Sequence, residues 1–487
     1  MDPRTGRGVL WTVASFGANR VVTVMTTIVL ARLLVPSDFG LFALATVVVN
    51  FVSYFSGMGL GNALMLGKDV DRRVQGTLLS LLIAFGVVFA VALAAASPLI
   101  ADLMRQPRLE EILFVIAGIL SFTGANWFYD ALLQKELAFR ERFICQLVRT
   151  IVYAVVAVSL AAATDLGVWA MIAGFGAGHV ANGVALLVLS PYLVRPTWDR
   201  AVAGEYLRTG SGFVLQGAVD FAQRNVDYVI VGRVLGATQL GYYTLAFRQA
   251  ELPFFAIGEP VVRVLFPSFA AMRHREVDTR SAYLTALRLM ALASFPLAVI
   301  LSGAADPFVE FFFGDKWLPM IGVLQVLGLW SLVRPIAHVI GWYLNAHGRA
   351  ALVGRVALLL LAALGGALYV AADLGDIETV AWVMVGHSAL GGAVLMVLAQ
   401  RETAVALGRQ LRVLAGPAAG AAAAWLVSRG IADGTESVAP FVSLVAATAG
   451  GLVAYAGAVR VVAPGLLGDA GARLRAAARR DPVAGEA

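Results

Sequence analysis

The sequence predicts an all-α polytopic membrane protein with about fourteen transmembrane helices, and three observations support this fold class. Of the 487 residues, 60% are hydrophobic and only 14% are charged, whereas soluble domains carry about 25% charged residues. The mean hydropathy is +0.81. Apolar stretches of roughly 20 residues, the length that crosses a bilayer, recur from one end of the chain to the other. This composition excludes a soluble globular protein.

Fourteen apolar windows, bounded by charged residues, prolines and glycines, define the predicted transmembrane helices. The first six lie near residues 9–32, 39–66, 77–101, 112–133, 143–163 and 168–191. Six more lie near residues 208–231, 240–269, 282–304, 319–343, 351–372 and 378–400. A final pair lies near residues 411–429 and 438–462. The loops between them are short, so a large catalytic domain outside the membrane is not expected.

The distribution of basic residues predicts the orientation of these helices. Twenty-four lysines and arginines fall on the side of the membrane that holds the N-terminus, and six fall on the opposite side. Cytoplasmic loops carry the excess of positive charge in membrane proteins. We therefore expect a multi-pass membrane protein with both termini in the cytoplasm. The excess of basic residues in cytoplasmic loops accounts for the positive net charge, so no nucleic-acid partner is needed to explain it.

An internal repeat divides the chain into two similar parts. Residues 28–45 align without gaps to residues 229–246, and Arg32, Gly40 and Leu44 are identical to Arg233, Gly241 and Leu245. Many secondary transporters are built from such repeats. We predict an N-terminal six-helix lobe over residues 1–204, a C-terminal six-helix lobe over 205–408, a last helix pair over 409–463 and a cytoplasmic tail over 464–487.

Polar and charged side chains form stripes on four of the predicted helices. They comprise Asn19 and Arg20 on the first helix; Gln216, Asp220, Arg224 and Asp227 on the seventh; Arg248, Glu251, Glu259 and Arg263 on the eighth; and Arg334 and His338 on the tenth. An arginine at the bilayer centre costs roughly 2.5–3.5 kcal/mol on insertion scales, so such side chains face a polar interior. The stripes therefore predict a hydrated central cavity.

The five arginines of these stripes are the candidate substrate-binding residues: Arg20, Arg224, Arg248, Arg263 and Arg334. A planar guanidinium matches phosphate or diphosphate oxygens, so they favour an anionic ligand. The acids, together with Asn19, Gln216 and His338, are candidates for cavity polarity or for coupling to a proton or sodium ion. Local neutralisation by helical ion pairs, such as Asp220 with Arg224 or Glu259 with Arg263, is the alternative. Under this alternative, Glu251 is the only acid near enough in the sequence to neutralise Arg248.

No metal centre, other cofactor or catalytic group is predicted. Cys145 is the only cysteine, which excludes an intrachain disulfide and argues against a cysteine-ligated metal site.

The chain resembles the Wzx-type polysaccharide flippases of the multidrug/oligosaccharidyl-lipid/polysaccharide exporter superfamily, which also contains MATE transporters and lipid II flippases. The resemblance rests on IVLARLLVPSDFGLFALA and SGMGLGNALM in the first half of the chain. In the second half it rests on RNVDYVIVGRVLGATQLGYYTLAFRQAELP and VVRVLFPSFAAM.

The resemblance implies a flippase that carries undecaprenyl-diphosphate-linked oligosaccharide units from the cytoplasmic to the periplasmic leaflet by alternating access. The product would enter exopolysaccharide, capsule or O-antigen synthesis, with a polysaccharide polymerase and co-polymerase as candidate partners. Asp220, Asp227, Glu251 and Glu259 are its coupling candidates. Three alternatives stay open: a peptidoglycan lipid II flippase, a multidrug cation antiporter and, from another class, a membrane polysaccharide polymerase or glycosyltransferase.

Overall fold

The computed structural model of the chain describes residues 3–66, 71–254, 269 and 279–464. Every long regular element within these residues is an α-helix. The helices are α1 (Pro3–Leu33), α2 (Pro36–Leu66), α3 (Arg72–Met104), α4 (Arg108–Leu120), α5 (Thr123–Lys135), α6 (Phe139–Ala163), α7 (Val168–Leu189), α8 (Arg200–Val234), α9 (Gly236–Ala250), α10 (Arg280–Gly303), α11 (Ala305–Phe312), α12 (Ile321–Ala346), α13 (Ala350–Asp373), α14 (Ile377–Thr403), α15 (Leu407–Gly434) and α16 (Pro440–Val462). A short 3-10 helix, Asp315–Met320, precedes α12.

The predicted all-α membrane fold is confirmed. In the described ranges, nine helices are long and apolar enough to cross a membrane, and the bent pair α4–α5 brings the number to ten. The count of fourteen spans stays a prediction. The chain forms two compact units, Met1–Thr244 and Leu245–Ala487, and the predicted lobe boundaries stay a prediction as well. The predicted tail, beyond residue 464, lies outside the described residues.

The span predicted over residues 112–133 is bent. The structure divides it into α4 and α5, whose axes differ by 48°. The hydroxyls of Ser121 and Thr123 donate to the carbonyls of Gly118 and Leu120, and such local bonds bend helices. A Cβ on Gly124 would lie 2.7 Å from the carbonyl carbon of Leu82, so α5 packs closely on the backbone of α3.

The turn between α1 and α2 is tighter than the six residues that the sequence suggested. Only residues 34 and 35 separate the two helices. Pro36 occupies the first position of α2, where a missing N–H costs nothing. The Asp38 carboxylate accepts a bond of 3.3 Å from the Val35 N–H, which is the return half of a capping box. The repeat residues Arg32 and Gly40 therefore lie within helices rather than in a loop.

Aromatic and amide side chains organise the core of the second unit. The rings of Tyr283 on α10 and Tyr343 on α12 stack with centroids 4.2 Å apart. The Tyr283 hydroxyl donates to the Oε1 of Gln410 on α15 at 2.8 Å. Gln410 is completely buried, so this bond satisfies a polar group that would otherwise be costly inside the helix bundle. Three helices are thereby held in one register.

Candidate functional site

Arg334 and Glu251 form an ion pair within the second unit. Arg334 lies near the middle of α12, and Glu251 is the residue that follows α9. Their side chains are 15% and 19% exposed, respectively. An ion pair with this much burial depends on both partners, because removing one leaves the other charge in a medium of low polarity.

Two aromatic rings flank the Arg334 guanidinium. Its Cζ atom lies 4.7 Å from the ring centroid of Trp330 and 5.0 Å from that of Phe254. A guanidinium over an aromatic face is attracted by the ring quadrupole, more strongly where water is excluded. The Trp330 Nε1–H donates to the Ser388 hydroxyl on α14 at 2.7 Å, which fixes the plane of the indole. Both rings thus lie beside the guanidinium carbon, and Glu251 contacts the terminal nitrogen Nη1.

The segment that carries Glu251 is fastened to α12 at further points. The Ser331 hydroxyl donates to the Ala250 carbonyl. The Phe254 ring lies 4.7 Å from the ring of His338, and the Nδ1 of His338 lies 3.0 Å from the Arg334 carbonyl oxygen. His338 therefore shares this cluster with Arg334, as the sequence predicted from their spacing of four residues.

In the sequence, Glu251 is the only acid close to Arg248. Glu251 pairs instead with Arg334, which had no obvious acidic partner in the sequence. Arg248 is half-buried near the end of α9 and has no ion-pair partner among the residues that the structure describes. The Glu251 N–H still bonds to the Phe247 carbonyl at 3.0 Å, so the backbone keeps its helical hydrogen bond here and the direction of the side chain decides the partner.

Asp227 is a buried carboxylate of the first unit. It lies on α8 with 2% exposure, and its Oδ2 accepts a bond of 2.9 Å from the Tyr243 hydroxyl on α9. The bond connects α8 and α9, which correspond to two consecutive spans predicted from the sequence. Arg224, one turn away on α8, is exposed. The structure therefore gives Asp227 a hydroxyl donor from a neighbouring helix.

The polar stripe of α1 meets α6. The Oδ1 of Asn19 accepts a bond of 2.8 Å from the Thr150 hydroxyl. The adjacent Arg20 is half-buried. These residues belong to the first unit, as do Arg224 and Asp227, whereas Arg248, Glu251, Arg334 and His338 belong to the second.

Four predicted site residues cannot be placed in this way. The side chains of Gln216 and Asp220, and all of Glu259 and Arg263, lie outside the described residues. In the part of the chain that is described, no group of three or more His, Cys, Asp or Glu residues could hold a metal ion.

A family profile with the description "Polysaccharide biosynthesis protein" matches residues 29–322, more than half of the chain. The chain belongs to this family. The match begins near the end of α1 and ends at the start of α12, so it contains both copies of the internal repeat and the Glu251 segment.

Individual members of the polysaccharide biosynthesis family agree with this assignment. The chain is 28% identical to the teichuronic acid biosynthesis protein TuaB of Bacillus subtilis (strain 168), over 77% of this chain and 78% of TuaB. It is 26% identical to the lipopolysaccharide biosynthesis protein WzxC of Escherichia coli (strain K12), over 66% of this chain and 65% of WzxC. The predicted relationship to Wzx-type flippases is thereby confirmed.

Solved structures show the same fold. The lipid II flippase MurJ in an inward closed conformation aligns with a TM-score of 0.74 and 13% identity, covering 94% of this chain and 100% of MurJ. An inward-facing MATE multidrug resistance transporter of the MOP superfamily aligns with a TM-score of 0.60 and 14% identity, covering 80% and 96%. At these identities the likeness concerns the fold.

Sequence reasoning missed the partners that hold the charged residues of this family member in place. Trp330 precedes Arg334 by four residues, a spacing that puts both on one helix face and could have indicated the ring contact. Phe254 and Tyr243 gave no such signal, because each reaches its partner from another helix or beyond a helix end. Thr150, the partner of Asn19, is 131 residues away from it in the chain.

Proposed function

We propose that the chain is a flippase for oligosaccharide repeat units linked to undecaprenyl diphosphate. It carries each unit from the cytoplasmic to the periplasmic leaflet, and the product enters exopolysaccharide, capsule or O-antigen synthesis. The observation that carries the proposal is the Arg334 cluster of the second unit, in a chain of the polysaccharide biosynthesis family. The contacts of that cluster stabilise a positive charge in the middle of an apolar helix.

The geometry of Arg334 supports an anionic passenger. A guanidinium has five N–H donors in one plane, and a diphosphate presents several oxygens that accept such donors in pairs. The Arg334 Cζ atom lies over the rings of Trp330 and Phe254, and these ring contacts use no N–H donor. Glu251 contacts one terminal nitrogen, Nη1. A group with five donors can bind both Glu251 and phosphate oxygens.

The remaining arginines supply the further cations that the proposal requires. Arg248 is half-buried and Arg224 is exposed within predominantly apolar helices. Such charges are costly in a bilayer and persist where a polar route or ligand compensates them. A lipid-linked diphosphate, and any acidic sugar attached to it, supplies that compensation during transport. Arg20 and Arg263 complete the proposed set.

Ion coupling is the second part of the proposal. Asp227 is buried and accepts a bond from the Tyr243 hydroxyl, and Glu251 pairs with the arginine that we assign to the passenger. Carboxylates in transmembrane segments commonly carry the coupling ion of transporters. We assign the proton or sodium ion to these two groups, with Asp220 and Glu259 as further candidates.

Proteoliposomes that contain the purified chain test the proposal directly. Fluorescent undecaprenyl-diphosphate oligosaccharide is placed in one leaflet, and its arrival in the other leaflet is followed by quenching with a reagent that cannot cross the membrane. We expect Arg334→Ala and Arg248→Ala to abolish translocation. Arg429→Ala is the matched control, because Arg429 also pairs with carboxylates, Asp306 and Asp433, at another helix end. Unimpaired translocation by Ala variants of Arg20, Arg224, Arg248 and Arg334 would overturn the proposal.

A further inference from the structure

Two turns that the internal repeat makes equivalent meet each other in the first unit. The repeat offset of 201 residues matches Pro36 with Ala237 and Gly40 with Gly241. Pro36–Gly40 begins α2, and Ala237–Gly241 begins α9. Both segments lie on the side of the membrane that the basic residues predict to be extracytoplasmic.

The contact between these segments is reciprocal. A Cβ placed on Gly40 would overlap the Ala237 carbonyl and lie 2.6 Å from its carbon. A Cβ placed on Gly241 would overlap the Pro36 carbonyl and lie 2.7 Å from its carbon. Gly40 therefore touches Ala237, which is the counterpart of Pro36, and Gly241 touches Pro36, which is the counterpart of Ala237. In each repeat the touched position lies one helical turn before the glycine. This is the geometry of a local two-fold contact.

The contact is dry and is continued by apolar side chains. Phe39 and Leu240, which neighbour the two glycines, are 3% and 0% exposed. One turn deeper, a Cβ on Gly232 of α8 would lie 2.7 Å from a methyl group of Leu44 on α2. Deeper still, Phe51 and Phe221 meet edge to face with centroids 5.2 Å apart. The two glycines thus form the outermost layer of an apolar seam between α2 and the α8–α9 segment.

The chemistry of this layer suits a contact that opens and closes. Glycine and backbone surfaces meet without interlocked side chains, and we find no ion pair between the two segments among the described residues. A dry backbone contact blocks water and ions when closed, since packing in such layers is as dense as in a protein core. It also parts without withdrawing long side chains from pockets.

We propose that the reciprocal Gly40–Gly241 contact is the extracytoplasmic seal of the transport route, and that it parts when the passenger leaves. The inference rests on the proposed function only in that the chain transports something through this side. A methyl group on either glycine would push the two segments apart like a wedge, because the neighbouring atoms are backbone and cannot rotate away.

Thiol accessibility tests the wedge without any passenger. Cys145 is the only native cysteine and is buried, so Cys145→Ala gives a clean background. Leu44→Cys places a reporter beneath the seal at a position that is 2% exposed. We expect Gly40→Ala or Gly241→Ala to raise the rate of labelling by an impermeant maleimide by about tenfold. Adding both wedges together should raise it little further, since either one opens the same contact.

Two other glycine substitutions provide the matched control. Gly17 on α1 and Gly118 on α4 have nothing within 4 Å of an added Cβ. Gly17→Ala and Gly118→Ala should therefore leave reporter labelling unchanged. If the wedge variants label like these controls, or lose folded protein without any gain in labelling, the proposal is overturned.

A reversible lock tests the opening itself and does not depend on the wedges folding. Pro36→Cys and Ala237→Cys, in the Cys145→Ala background, are joined by a short bifunctional thiol reagent with a reducible link. We expect the linked protein to lose transport and to regain it on reduction, while each single-cysteine variant is unaffected by the reagent. Continued transport by the linked protein would overturn the proposal that this contact is the seal. Absence of lipid-linked oligosaccharide transport in the unlinked protein counts instead against the proposed function, since the labelling results stand separately.

Discussion

Glu251 and Arg334 are 83 residues apart in the sequence and form an ion pair in the second unit. The pair joins the end of α9 to the middle of α12, and the guanidinium is also stacked on Trp330 and Phe254. We propose that Arg334 both stabilises the second unit and binds the passenger, and the two roles make different predictions.

Removing only one member of this pair should destabilise the protein. Arg334→Ala leaves Glu251 charged and mostly buried, which we expect to cost about 3 kcal/mol of unfolding free energy. Thermal unfolding in detergent micelles measures the loss. The double variant Glu251→Gln/Arg334→Gln should recover most of the stability without recovering translocation. Recovery of both would show that the pair is purely structural.

The indole of Trp330 should determine how well Arg334 is oriented. Trp330→Leu removes the ring face, worth about 0.5–2 kcal/mol for a cation–π contact, and should weaken passenger affinity in the translocation assay. Trp330→Phe keeps a ring face and should retain more of that affinity. Ser388→Ala removes only the partner of the indole N–H, so an effect as large as that of Trp330→Leu would contradict this account.

The Tyr243 hydroxyl should stabilise the buried Asp227. Tyr243→Phe deletes a hydrogen bond to a carboxylate and should lower the unfolding free energy by about 1.5–3 kcal/mol. Tyr369→Phe is the control, because Tyr369 is 55% exposed. If Asp227 carries the coupling ion, Tyr243→Phe also shifts the ion dependence of translocation, which Tyr369→Phe leaves unchanged. Equal thermal stability of the two variants would argue against the Asp227 bond.

The loop before α8 should make stability depend on pH. The Val202 N–H, then the Ala201 N–H and Arg73, hold the pKa of Asp199 below its usual range. A carboxylate with a depressed pKa in the folded state stabilises the protein above its unfolded pKa, near 3.9. That contribution is lost as pH falls through the lower folded value.

Melting temperatures between about pH 6 and pH 3 measure this contribution. Asp199→Asn keeps a good helix cap but cannot titrate, so its melting temperature should fall less than that of the native protein across the same range. Identical pH profiles for the two proteins would assign the acid sensitivity to other groups.

Several elements could be predicted because their determinants are local. The windows near residues 351–372 and 438–462 become α13 and α16, since an apolar run of this length satisfies its backbone only as a helix inside lipid. The repeat was recognisable from Arg32, Gly40 and their counterparts. The bend at Ser121 was not, because it depends on side-chain bonds and on the close approach of Gly124 to α3.

The charged residues illustrate the same division. Their positions within apolar helices could be predicted from the sequence, and these positions led to the expectation of a polar site. The pairing of Glu251 could not be predicted, because its partner Arg334 is 83 residues away in the chain. The Ser331 hydroxyl on α12 donates to the Ala250 carbonyl and fastens this segment beside Arg334.

By itself, the sequence determined the membrane-embedded helices, the repeat and the presence of intramembrane charge, since these follow from hydropathy, period and the cost of burying ions. Only the tertiary structure decided which groups meet: Arg334 with Glu251, Tyr243 with Asp227, and Gly40 with the backbone of Ala237. The physical reason is the separation along the chain of the groups that each property depends on. Insertion into lipid is settled residue by residue along one helix, whereas ion pairs and glycine contacts depend on where helix ends and neighbouring backbones come to lie.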